Sequence, residues 1–160
     1  MPKTIYILAT LGVLSLAACG GADRDDVYHL TGIDRFSKEE GNEIFEFVEI
    51  LNNRLGRSVL AADGNGFEIT LEKTDFGNRT RLGAATLTLT ACRIELSPEI
   101  FKTKGYVGSV LLHELGHCFG KEHEGEVGEI MSVRTLPISD YGTPKIEKFF
   151  NQLSLSVKLR

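Results

Sequence analysis

The chain has 160 residues, 42% hydrophobic and 25% charged, which is room for one ordinary core and too little for two comfortable domains. Its formal charge of -4 and pI near 5.6 argue against nucleic acid or anionic headgroups as broad electrostatic partners. Histidine is scarce, yet three of the four fall within HELGHCFGKEH at 113–123.

In chain order, Lys3 precedes an almost uncharged run, IYILATLGVLSLAA, whose apolar core is too short to span a bilayer as a finished helix and reads as a leader over residues 1–18. The ending LAAC, Leu16 to Cys19, resembles the lipobox of bacterial lipoproteins. That resemblance implies removal of the leader and acylation of Cys19, with GGADRDD as a short tether (residues 19–26 in all) holding a domain of residues 27–160 at a membrane of the cell envelope. Gly20, standing where an aspartate is absent, resembles lipoproteins sent to an outer membrane. The other reading is an ordinary secretory leader with a spectator cysteine, and both place the domain outside the cytoplasm. Lipidation of Cys19 leaves Cys92 and Cys118 as an even pair, bonded in an oxidising compartment or present as two buried thiols.

VYHLTG at 27–32 predicts a first short strand. Ser37 and Glu40 form a capping box ahead of Ile44, Phe47, Val48, Leu51 and Leu55, the spacing of one buried helical face, and Gly56 is its stop. In the next section Phe67, Ile69 and Leu71 alternate with Glu68, Thr70 and Glu72, as a strand with one wet face requires. The DGNG before it, with Asp63 and Asn65, is turn chemistry with too few carboxylates for a calcium site. Apolar residues then change parity, from Leu87, Leu89 and Ala91 to Cys92, Ile94 and Leu96, which demands a bulge or turn near Ala91 and two strands, closed by Pro98. YVGSVLLHELGHCF at 106–119 predicts a second core-facing helix through Val107, Val110, Leu111, Leu115, Cys118 and Phe119. Thr143 and Pro144 read as the N-cap and first residue of a third, with Ile146, Phe149, Phe150 and Leu153 on one side.

Four residues apart on a helix, His113 and His117 project from one face and can share a metal ion, zinc being the natural occupant. Glu114 stands beside the first ligand, where a general base acting on a water belongs. A continuing helix would carry His123 about 9 Å further along the axis. Gly120 accepts the left-handed conformation that lets the chain double back and bring the third imidazole in.

His113, Glu114, His117, Gly120 and His123 match HExxHxxGxxH, and Met131 follows His123 by eight residues. In this the chain resembles the metzincin zinc metalloproteases of matrixin-like type. The resemblance implies an α+β zincin domain, a small twisted mixed sheet with about three helices, one catalytic zinc on the three histidines, and Met131 of the Met-turn as a hydrophobic floor. It implies peptide-bond hydrolysis with Glu114 as general base and a protein or peptide as substrate, the chain acting as a monomer. The substrate would lie antiparallel to an edge strand, for which Gly83, Ala84, Ala85, Thr86, Leu87, Thr88 and Leu89 are the candidates. Gly116 inside the helix points to close packing there.

Several family features are missing. The seven residues between Cys19 and Val27 hold no cysteine propeptide, and only His29 is left toward a second zinc, so neither that site nor a structural calcium gains support. Val133 stands where some metzincins have a tyrosine; Tyr141 either approaches the site or is a loop tyrosine with a wet hydroxyl. Leu136 to Ile138 are candidates for a pocket wall. Two further readings stay open: a non-catalytic zinc-fold lipoprotein that binds peptides or partner proteins, and an enzyme for cell-wall peptides.

Overall fold

The computed structural model describes residues 28–56, 58–63, 67–77, 80–103, 105–125, 129–133, 136 and 141–158. The expected leader and tether, with Cys19, and likewise Val27, Asn65 and residues 137–138, lie outside these.

Alternation along the chain becomes one sheet of five strands: β1 (Tyr28–Thr31), β2 (Leu60–Ala61), β3 (Glu68–Lys73), β4 (Gly83–Leu87) and β5 (Ala91–Leu96). The order across it is β2-β1-β3-β5-β4. The first four are parallel, and β4 runs antiparallel to β5 at an edge. Tyr28, Leu30, Ile69, Leu71, Cys92, Ile94 and Leu96 are all buried and all fall on one face, as a two-residue period dictates. The opposite face is wet: Thr31 donates to Glu68 at 3.0 Å, and Arg35 pairs with Glu72 at 3.0 Å.

Among the described residues three α-helices accompany the sheet: α1 (Lys38–Leu55), α2 (Tyr106–Cys118) and α3 (Thr143–Lys158), so the class is α+β with a mixed sheet. None among the described residues is long and apolar enough to cross a membrane. The capping box opens α1 as expected: the Glu40 N–H donates to Ser37 Oγ and the Ser37 N–H to a Glu40 carboxylate oxygen, at 3.3 and 2.9 Å. Gly56, at φ 68°, closes it. Ile44, Phe47 and Val48 of α1 meet Leu30, Leu60, Leu71 and the α2 residues Leu111 and Leu115 around one small void, which places both helices on the apolar face.

Four details differ from the sequence reading. Strand β2 carries no alternating pattern because it is only two residues long; Asn52 of α1 holds it, accepting from the Val59 and Leu60 N–H groups and donating to the Leu60 carbonyl. Pro98 opens a 3-10 turn, Pro98–Lys102, rather than only ending the strand. The edge strand stops at Leu87: Thr88 Oγ1 bonds both the N–H and the carbonyl of Ala91, closing a hairpin that leaves Leu89 fully exposed. This turn is the one demanded by the parity change. In α3 the Lys145 and Ile146 N–H groups donate to the Gly142 carbonyl, so Gly142 is the cap, and Thr143 and Pro144 sit one position later than their spacing indicates.

The sulfurs of Cys92 on β5 and Cys118 at the end of α2 are bonded. Of the two readings left open, the disulfide therefore holds, and it ties the C-terminal end of α2 to the sheet.

Candidate metal centre

Buried apolar residues lock α2 on the sheet, and buried His113 and half-buried His117 line the cleft from one face of that helix. The helix then ends in a Schellman motif. Gly120, at φ 82°, donates its N–H to the His117 carbonyl, and Lys121 donates to the Gly116 carbonyl, both at 2.9 Å. The reversed chain brings His123 back, its ring centroid 5.3 Å from that of His113 and 4.6 Å from that of His117. The three residues expected to share a metal are thus close enough to do so.

The ring nitrogens show what kind of guest fits. His113 Nδ1 is 2.6 Å from the Ile130 carbonyl oxygen, and His117 Nδ1 is 2.8 Å from that of Lys121. A carbonyl only accepts, so each Nδ1 carries a proton and each Nε2 presents a lone pair when the ring is neutral. Burial keeps His113 neutral, pushing its pKa down to about 4 against the pull of the Ile130 carbonyl, and burial lowers that of His117 in the same way. Yet Nε2 of His117 lies 3.2 Å from Nε2 of His113 and 3.1 Å from that of His123. Lone pairs packed this closely repel unless a cation stands among them. Nitrogens bound at about 2.0 to 2.1 Å to a tetrahedral zinc would be about 3.3 Å apart, so the donor set fits that ion.

Glu114 is buried beside this set, at 5% exposure. Burial raises its carboxyl pKa to about 7, against the opposing charge of Arg81. Its room comes from Gly83 at the start of β4: a Cβ there would lie 2.7 Å from Glu114 Oε1 and 2.8 Å from Val110 Cγ1. On the other side of α2, a Cβ on Gly116 would lie 2.5 Å from the sulfur of Met131, which is buried. Close packing does explain that glycine, with Met131 under the helix. The same turn orients the site, since the Ile130 carbonyl holds His113 and the Met131 carbonyl accepts the Glu124 N–H at 2.9 Å.

A cleft of about 600 Å³ runs over the histidines. Its lining includes Arg81, Gly83, Ala84, Ala85 and Leu87, then His113, Glu114 and His117, then Gly120 to His123 and Val133. Of the proposed substrate strand, Thr86, Thr88 and Leu89 do not line it; the last two belong to the hairpin turn. Tyr141 is a loop tyrosine, but its hydroxyl is not wet. Its ring is buried, its hydroxyl oxygen accepts the Leu136 N–H at 2.9 Å, and it does not line the cleft. His29 is on β1, half buried on the sheet's wet face. Sequence reasoning passed over Arg81; its odd parity with Gly83 was the available signal.

No protein-family model matches the chain, and no curated protein matches its sequence.

Proposed function

We propose that this protein is a zinc-dependent endopeptidase of the metzincin type, working outside the cytoplasm and tethered through Cys19 to a membrane of the bacterial cell envelope. The observation that carries this reading is three imidazole Nε2 atoms converging beside a buried carboxylate in a cleft that runs along a strand edge. The tether rests on the leader and LAAC in the sequence.

His113, His117 and His123 would hold the zinc, which when bound supplies a Lewis acid for the scissile carbonyl and an acidified water. Glu114 accepts the proton of the attacking water and passes it to the departing amine. Its carboxylate is buried and lines the same cleft as the three imidazoles, a placement suited to both transfers. The outer edge of β4 offers backbone N–H and carbonyl groups to an extended peptide laid antiparallel to it. Gly83 lets that strand pass against Glu114, so the peptide and the proton acceptor are held side by side.

The test is cleavage of casein, and separately of purified peptidoglycan, by the zinc-loaded full chain and by its Glu114→Gln variant. Zinc content should be equal, and cleavage should fall about 10²- to 10⁴-fold in the variant. Equal cleavage by both, or none by either, would favour a non-catalytic lipoprotein that binds peptides or partner proteins. Turnover of peptidoglycan alone would make cell-wall peptides the substrate.

A further inference from the structure

Arg81 precedes β4 by two residues and shares the odd parity of Gly83, Ala85 and Leu87, so an extended backbone turns it toward the same face. The backbone stays paired there, with the Ser97 N–H donating to the Leu82 carbonyl at 2.9 Å. Arg81 lines the cleft with Glu114 and the histidines, and its guanidinium carbon lies 4.8 Å over the ring of Phe76. A cation–π contact of this kind restrains the guanidinium, and the N–H fork of an arginine matches a planar anion. Yet among the described residues no carboxylate lies within ion-pair distance of it. The cleft's other strong cation, Lys121, is drawn toward α3 by a 3.2 Å hydrogen bond to Gln152 and by the Phe149 ring.

Direction follows from register. Gly83 stands beside Glu114, so Arg81 is about 7 Å further toward the start of β4, at two residues of extended chain. A peptide antiparallel to β4 passes that end with its C-terminal half. We infer that Arg81 is a specificity-determining residue that holds a substrate carboxylate on the C-terminal side of the cut bond, either an acidic side chain or the free carboxyl end of a short peptide. This rests on the peptide-cleaving reading above and names its substrate class as peptides with an anionic C-terminal half. The fork geometry favours carboxylate because two parallel N–H donors match its two oxygens.

The experiment uses the zinc-loaded full chain in mild detergent and a labelled peptide set with Glu or Gln at successive positions, each member as free acid and as C-terminal amide. Binding is read by fluorescence anisotropy in the Glu114→Gln protein, and cleavage in the parent. Carboxylate-bearing peptides should be preferred about tenfold, equal to about 1.4 kcal/mol at 25 °C. In Arg81→Gln that ratio should collapse toward one, Arg81→Lys should restore part of it, and Arg81→Glu should invert it. Loss of preference on amidation alone identifies the chain terminus as the carboxylate, and persistence identifies the side chain. An unchanged ratio in Arg81→Gln, or no peptide bound at millimolar concentration, overturns the inference. Charge-selective binding without any cleavage upholds the role of Arg81 and sinks the endopeptidase reading, whereas cleavage without charge preference does the reverse.

Discussion

Gly83→Ala should separate catalysis from folding. The added methyl would sit 2.7 Å from Glu114 Oε1, 3.0 Å from its Cγ and 2.8 Å from Val110 Cγ1, where ordinary contacts begin near 3.4 Å. The carboxylate is the movable partner and must withdraw by several tenths of an ångström, while Val110 is fixed in the core. Overpacking costs about 1–3 kcal/mol, and alanine recovers about 0.5–1 kcal/mol over glycine in a strand. The net loss, about 0–2.5 kcal/mol, lowers Tm by at most about 10 °C. A full ångström of misplacement costs a positioned base about 10²-fold in rate, so a shift of several tenths costs up to that. The assay is kcat on a peptide substrate with zinc content and urea midpoint measured in parallel; kcat should fall one to two orders of magnitude with stoichiometric zinc retained. A kcat within twofold of the parent would refute the placement of Glu114 against β4.

Gly116→Ala has the opposite signature. The new Cβ would meet the Met131 sulfur at 2.5 Å and Phe149 Cζ at 3.2 Å, so despite a gain of about 1 kcal/mol in helix propensity the urea midpoint should fall and zinc affinity weaken through Ile130. For Glu114 the folded pKa is raised from 4.5 to about 7, so its contribution to stability is present below pH 4.5 and lost as pH rises through 7. Metal-free Glu114→Gln should therefore be more stable than the parent by up to about 3 kcal/mol at pH 8, with the difference vanishing toward pH 4.5; urea titrations in chelator check this. His113 has the opposite sign: its pKa lowered to about 4 gives stability present above 6.5 and lost as pH falls toward 4, so a His113→Gln variant should lose part of the parent's acid sensitivity. Replacing both Cys92 and Cys118 with alanine opens a loop closed across 26 residues and should cost about 3.5 kcal/mol by loop entropy, read as a lower urea midpoint.

Local rules made much of this legible. The capping box at Ser37, the stripe from Ile44 to Leu51 and the stop at Gly56 each act within a few residues, so sequence shows them directly. The same holds for the site's ligands, because helical spacing aligns His113 with His117 and one left-handed glycine returns His123. What escaped depends on partners remote in sequence. Strand β2 exists because Asn52 bonds it, and Tyr141 is buried because its hydroxyl finds Leu136. Gly83 reads as a strand residue until Glu114, 31 positions later, is seen to occupy the space its side chain would fill. The Cys92–Cys118 bond was one of two readings until β5 and α2 were placed with 5.7 Å between the Cα atoms.

The central claim is that His113, His117 and His123 hold one divalent ion. Zinc K-edge X-ray absorption on the purified full chain tests it most directly, with Glu114→Gln as a folded control. The account predicts one zinc per chain with three imidazole nitrogens at about 2.0 to 2.1 Å and one further light ligand, a signature degraded in His123→Ala. Substoichiometric zinc, sulfur in the first shell, or a spectrum unchanged in His123→Ala would contradict it.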